Sequence, residues 1–369
     1  MTPVPSKFAR LAQQGMTLIE VLVGIAIGLI GMLVMFQMVT VWDARTRVNA
    51  SSGDAQVAGT LAMFNLERDV RLGGMGFGTA KAAEVGCVVN AYDGNASGTA
   101  NFNLQPVTII DGDGAGVPDQ IQVLYGASPF SGDGQDFTGG TATTLAATVK
   151  YSFKRGDLAV ATNNANTCKL LQITDDTTAD DRLLSFGYGS YADYYDGNPA
   201  KSVRWNSASA SMPVIAAGRV YSLGPSPRLN VWSVDTATST LGYVNRLPVV
   251  AANPFFGVAE GVVDMKAEYG YGGTWTKAAP ADWTQLRAIR IGMLVRSREF
   301  AKPPAAADSS AVTYRLTVPP TWFHHDFVMK DLNGGVDTDV AGSPNNWRYY
   351  RYRVYEKVIP LRNMIWGQS

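Results

Sequence analysis

The sequence predicts an α+β chain: a long N-terminal helix, hydrophobic in its first half, packed on a large β-rich C-terminal domain. Three observations predict it. From Met16 to Val41 the only strongly polar residues are Thr17, Glu20, Gln37 and Thr40. Residues 43–72 contain no proline and repeat apolar residues at helical spacing. After residue 75, Thr, Val, Tyr, Asn, Asp and Gly dominate, which reads as strands joined by turns.

The apolar run comes first. About 20 apolar residues suffice to cross a bilayer, and this run is longer. Lys7 and Arg10 precede it, so the N-terminus should stay cytoplasmic and the body should lie outside. A secretory signal is cut after its apolar region, at small residues. No such site follows Phe36 before Trp42. The small residue, Gly15, stands ahead of the run, and cleavage there would make Met16 the new N-terminus. Glu20 would then sit near the head of an apolar helix. An isolated carboxylate in lipid costs several kcal/mol and needs a partner. The plain alternative is a signal anchor with an incidental acid.

The helix should continue past the membrane. Leu61, Met63, Leu66 and Val70 recur at helical spacing among Glu67, Arg68, Asp69 and Arg71, and Gly73-Gly74 supplies a stop. A helix from Met16 to Leu72 would be roughly 85 Å long. Gly24 and Gly28 form a G-x-x-x-G pair suited to close helix contact.

The body should be β-rich. Expected strands are Val107–Ile110, Gln120–Tyr125, Ala147–Phe153, Arg228–Val234, Val262–Tyr269, Ala288–Val295, Val312–Thr317 and Tyr349–Ile359, several with half-buried alternation. Asp-Gly at 111, 113, 133 and 196 and Asn-Gly at 333 supply turns, and residues 302–310 read as a loop. Residues 127–250 read as an insertion or a second lobe without a clean boundary.

Composition narrows the class. With 369 residues, 46% hydrophobic, the chain can bury a proper core in one large domain or two small ones. Its formal net charge of zero argues against a dedicated nucleic-acid binder. Two cysteines, Cys87 and Cys168, fit one disulfide or two buried thiols, and compartment decides between them. A bridge would stabilise the fold by roughly 4 kcal/mol in the chain-entropy model.

Candidate chemistry is sparse. Asp111, Asp113, Gly116 and Asp119 fall where a calcium loop places residues, but Ala115 and Gln122 stand where two key oxygen ligands belong. A calcium site competes there with a plain Gly/Asp turn. Asp331, Asn333, Asp337 and Asp339 make a weaker version. His324 and His325 are the only histidines; as strand neighbours they would face opposite ways and not share a metal. The run Trp347 to Lys357, with Arg351 and Arg353, suits either nucleic-acid stacking or an ordinary C-terminal strand with one wet face. The Tyr-rich segment 187–197 reads as a binding surface or a packed turn. No constellation for catalysis is present, so an enzyme is not expected, nor any cofactor besides the calcium candidate.

The stretch Gly15-Met16-Thr17-Leu18-Ile19-Glu20-Val21-Leu22-Val23 resembles the prepilin peptidase signal of type IV pilins and type II secretion pseudopilins. The family's usual first mature residue is Phe, here Met16; many major pilins have a proline where this chain has Gln37. The resemblance implies cleavage after Gly15, N-methylation of Met16, and pairing of Glu20 with a neighbouring subunit's N-terminal ammonium during assembly. It divides the chain into a leader (1–15), a membrane and filament-core half-helix (16–41), an amphipathic half-helix (42–74) and a periplasmic or extracellular domain (75–369). With that domain exported, a Cys87–Cys168 bridge is expected.

Phe64 to Gly74 with Gly86-Cys87, Val262 to Gly270, Ile289 to Ser297 and Pro360-Leu361-Arg362-Asn363 resemble the PilW family of minor pilins. The resemblance implies a role in type IV pilus assembly, in a tip or priming complex. Implied partners are the prepilin peptidase, the inner-membrane assembly machinery, and the major and other minor pilins. It implies a single-pass inner-membrane protein that moves to a surface pilus serving motility, adhesion or DNA uptake. The rivals are a tip-displayed adhesin or DNA receptor and the J-type pseudopilin of type II secretion, whose domains are usually much shorter.

Overall fold

The computed structural model describes residues 17–95, 98–99, 101–113, 116–130, 133–163, 167–207, 217–247, 253–300, 316–332 and 345–367. Gly15, Met16, the leader, residues 302–310, Asn333, Asp337, Asp339 and most of the 312–317 strand lie outside them. The chain forms two compact units that divide between Ser51 and Ser52. One helix, α1 (Leu18–Leu72), contributes to both.

The first unit is helical. Leu18–Asp43 is a 26-residue apolar stretch, long enough to cross a bilayer. Its large apolar side chains, from Leu18 to Trp42, are exposed around the whole circumference. Such a surface is stable only against lipid or other helices.

In the second unit the end of α1 is amphipathic. Ala55, Ala62, Met63, Leu66 and Val70 are buried; Leu66 and Val70 follow Met63 at three and seven residues and Ala62 at four and eight, which puts them on one face. Leu61, expected on that stripe, is exposed, because it lies to the side of the 62-66-70 line. Gly59 lies on the stripe, and a Cβ there would stand 2.3 Å from the Tyr355 ring. The missing side chain lets Tyr355 reach α1 and donate its hydroxyl to Gln56 O at 3.3 Å. Asp69 accepts hydrogen bonds from Tyr125 Oη (3.1 Å), Asn230 Nδ2 (2.7 Å) and Trp232 Nε1 (2.8 Å).

The helix stops at Gly73-Gly74, as expected. Its last carbonyls receive donors from the far end of the chain. Asn363, in the short helix α2 (Arg362–Trp366), donates Nδ2 toward the carbonyls of Arg71, Leu72 and Gly73 at 3.4, 3.1 and 3.2 Å. A helix end leaves such groups without intrahelical partners.

Three larger sheets build the body. A four-stranded antiparallel sheet runs Thr274–Thr276, Val262–Tyr271, Ala288–Arg296, Tyr352–Pro360. A five-stranded antiparallel sheet runs Phe256–Glu260, Thr240–Asn245, Arg228–Asp235, Gln120–Tyr125, Val107–Ile110. Inward side chains of these two sheets, Ile121, Val123, Trp232, Met265, Ala267, Ile291 and Met293, share one core with α1. The eight-stranded sheet holds Thr144–Ala147, Leu158–Thr162, Thr167–Gln172 and Gly218–Gly224, and at one side Val88–Asn90, which pairs in parallel with Thr167–Gln172. The described strands within 127–250 divide among the eight-stranded sheet, the five-stranded sheet and a two-stranded sheet of Ser190–Tyr191 with Lys201–Ser202.

The strand expected over Ala147–Phe153 is a correction. The strand is Thr144–Ala147, and Phe153 N–H closes a turn onto Lys150 O at 2.9 Å. Lys150 is buried there because its ammonium reaches Thr178, a tie that an alternating strand does not offer. Leu158–Thr162 escaped the sequence reading because all five residues are buried, so no alternation marks it.

Candidate functional site

Glu20 is the only charged residue from Leu18 to Val41. It sits in the first turn of α1, where the helix dipole favours a negative charge. Its Oε2 accepts from Thr17 N–H (3.2 Å) and Thr17 Oγ1 (3.3 Å), and its own N–H donates to Thr17 Oγ1 at 3.4 Å. This reciprocal pair is a capping box. Sequence reasoning missed the role of Thr17, although the Thr-x-x-Glu spacing ahead of an apolar run is its signature. Four residues beyond Glu20 comes Gly24, then Gly28; a Cβ at either would meet nothing within 4 Å. The backbone is open there to close approach by another helix.

Cys87 and Cys168 are joined, with Cα atoms 6.0 Å apart and a sequence separation of 81. Cys168 pairs with Val89 across the parallel strands, so the bridge fastens the Val88–Asn90 strand at its entry.

The three acids of the calcium candidate do converge, around an ammonium. Lys277 Nζ lies 2.8 Å from Asp111 Oδ1 and 3.1 Å from Asp119 Oδ2, and it also contacts Asp113 Oδ2. Buried Lys266 adds a second cation 2.5 Å from Asp113 Oδ1. Burial pushes the Asp113 carboxyl up, but the hydrogen bonds and charges of Lys266 and Lys277 outweigh it and hold it at about 2. A calcium ion there would have to displace Lys277.

The aromatic members of the run Trp347 to Lys357 are not spread for stacking. Trp347, Tyr349 and Tyr350 are buried, and Tyr355 faces α1. Arg351 and Arg353 are exposed, Arg353 on the Tyr352–Pro360 strand at the edge of its sheet. The Tyr-rich segment is a tied turn: Tyr195 Oη donates to Asp157 at 2.6 Å, Tyr191 Oη to Asp193 at 3.0 Å, and Lys201 Nζ lies 2.7 Å from Asp193.

The placing of the histidines is the second correction. They do not alternate along one strand. Trp322 pairs with His325 across a hairpin, Thr321–Trp322 against His325–Asp326, and Phe323 at its turn has φ 51°. Phe323 and His324 form the turn and His325 begins the return strand, and the two imidazole centroids lie 4.2 Å apart. His324 Nε2 and His325 Nε2 lie 3.2 and 3.0 Å from the same atom, Glu268 Oε1. Glu268 is fully buried. Its Oε2 accepts from Arg290 Nε at 2.9 Å, and Arg290 lies over the ring of Phe323 at 3.7 Å. Burial raises the Glu268 carboxyl, and Arg290 and His325 more than offset that, leaving it below its ordinary value.

Residues 10–36 match the prokaryotic N-terminal methylation motif, and residues 256–363 match the family described as Type IV Pilus-assembly protein W. The second match contains the four-stranded sheet, the histidine hairpin and Asn363. No curated protein matches the chain. Among solved structures it is similar to the type IV-like pilin TTHA1219 from Thermus thermophilus, at 10% identity. That likeness covers 84% of this chain and 96% of that one, with a TM-score of 0.32.

Proposed function

We propose that this chain, similar to PilW and carrying a pilin methylation motif, is a minor pilin that takes part in type IV pilus assembly. It would act in a tip or priming complex with other minor pilins and the major pilin. The observation that carries the reading is Glu20. It is the only charged residue from Leu18 to Val41, near the head of the 26-residue apolar stretch of α1 and inside the segment that matches the methylation motif.

The mechanism follows from the cost of that charge. In lipid, the two Thr17 donors satisfy only part of the carboxylate, and an intramembrane acid costs about 2.5–3.5 kcal/mol or more. Cleavage after Gly15 by a prepilin peptidase would create an ammonium at Met16. A neighbouring subunit's ammonium would then neutralise Glu20 in a helix bundle. The charge favours leaving the inner membrane for the filament, and Gly24 and Gly28 let the spines approach. The domain after α1 would be periplasmic before assembly and displayed on the pilus afterwards.

Glu20→Ala should reduce surface pili at least several-fold while the near-UV circular dichroism of the purified protein stays unchanged. Normal piliation in that variant would count against the reading.

A second reading, a tip-displayed DNA receptor or adhesin, is favoured by exposed Arg351 and Arg353 at the last strand of the four-stranded sheet. It predicts DNA retention that weakens with salt and is lost when both arginines are replaced. A J-type pseudopilin would instead restore secretion, not piliation, in a complementation assay.

A further inference from the structure

We propose that Glu268, His324 and His325 form a binding site for a divalent transition-metal ion of the zinc class, which pins the histidine hairpin to the four-stranded sheet. The inference is independent of the pilus reading.

Donor geometry is the first support. A tetrahedral zinc ion with ligands at about 2.0–2.1 Å spaces its donors about 3.3 Å apart. Glu268 Oε1 is 3.2 Å from His324 Nε2 and 3.0 Å from His325 Nε2. All three donors lie within 4.8 Å of one another. Two imidazoles and one carboxylate are a common ligand set for zinc and its neighbours, with a remaining position for solvent.

The surroundings of the donors are the second. Metal-binding histidines usually turn their other ring nitrogen to a carboxylate, and ligating carboxylates are themselves held by hydrogen bonds. His325 Nδ1 lies 3.5 Å from Asp113 Oδ2, and Glu268 Oε2 is held by Arg290. Arg290 is itself held among the rings of Trp275, Trp322 and Phe323. The hairpin is seated by Trp322, which lies on Gly292, where a Cβ would stand 2.3 Å from the indole.

Charge is the third. The ion-pair network around the site joins five carboxylates (Asp111, Asp113, Asp119, Asp264, Glu268) to three fixed cations (Lys266, Lys277, Arg290). The formal deficit is two positive charges. One dication held by neutral imidazoles would serve all three donors and close the deficit. His324 is 69% exposed at its side chain, which leaves an entry path from solvent.

The test uses the full chain in detergent, without a histidine tag, titrated with zinc against a chromophoric chelator. These two histidines are the only ones in the sequence, so the background is low. One saturable equivalent of zinc is expected, with a higher unfolding temperature when it is bound. His324→Ala, at an exposed position, should leave the fold intact and lower the affinity more than 100-fold. Asp113→Asn should lower it about 10–100-fold. Cobalt in place of zinc should give a visible absorption band that His324→Ala abolishes. No saturable uptake, or uptake unaltered by His324→Ala, would overturn the proposal and leave protonated imidazoles as the partners of Glu268.

Discussion

Removing the carboxylate of Asp69 should loosen the helix from the sheet beneath it, and the size of the effect follows from three donors. Asn230 and Trp232 are 3% and 2% exposed, so water cannot replace the oxygen they lose. Hydrogen bonds to a charged group contribute about 1.5–3 kcal/mol each, and a stranded buried donor costs a similar amount. Two such donors set a range of about 3–6 kcal/mol. Asp69 is itself partly exposed and Asn230 retains a contact with Tyr125 Oη at 3.3 Å, which favours the lower part, about 3–4 kcal/mol. At about 2 °C per kcal/mol for a domain of this size, Asp69→Ala should lower Tm by roughly 6–8 °C. Asp69→Asn should cost much less. Its one oxygen can take the place of Oδ2, which serves both Asn230 and Trp232, while its NH2 faces a hydroxyl able to accept. The assay is thermal unfolding followed by near-UV circular dichroism in detergent, where tertiary signal reports the body. Equal losses for Ala and Asn, or a loss under about 1 kcal/mol for Ala, would refute the hydrogen-bond account and leave apolar packing as the sole attachment.

Two further outcomes test the same logic elsewhere. Asn363→Ala should cost about 1–2 kcal/mol by stripping the α1 carbonyls of donors, with faster amide exchange in the last turn of α1 as the readout; unchanged exchange there would exclude the capping role. Burial pushes the Asp264 carboxyl up to about 6, against the weaker opposing pull of Lys266. The folded state therefore holds its proton more tightly than the unfolded state, so this group's contribution falls as pH rises from about 4 to about 6. Asp264→Asn should flatten that part of the curve in denaturation midpoints measured at pH 4.5 and 7, and an unchanged slope would discount the group.

What could be read from the sequence was local. The apolar run, the carboxylate at its head and the Gly-Gly stop are neighbouring features of one segment, so the extent of α1 was legible. So were Val107–Ile110 and Gln120–Tyr125, whose alternation comes from having one buried face. Strands buried on both faces, such as Leu158–Thr162, carry no period and were missed. Partnerships over long separations needed the fold. Lys277 lies among acids that by themselves resemble a calcium loop, because the sheet brings Thr274–Thr276 and the segment after it past Asp111 and Asp119. Asn363 meets the end of a helix that finished 291 residues earlier, at Leu72. The histidines converge on Glu268 because His324 stands in the tight turn and His325 begins the strand after it, and adjacency in sequence says nothing of which way a turn directs two rings. Sequence determines which groups are available within a few residues of one another; pairing a charge with its counter-charge over hundreds of residues is decided by sheet register and by the burial that makes an unpaired charge too costly.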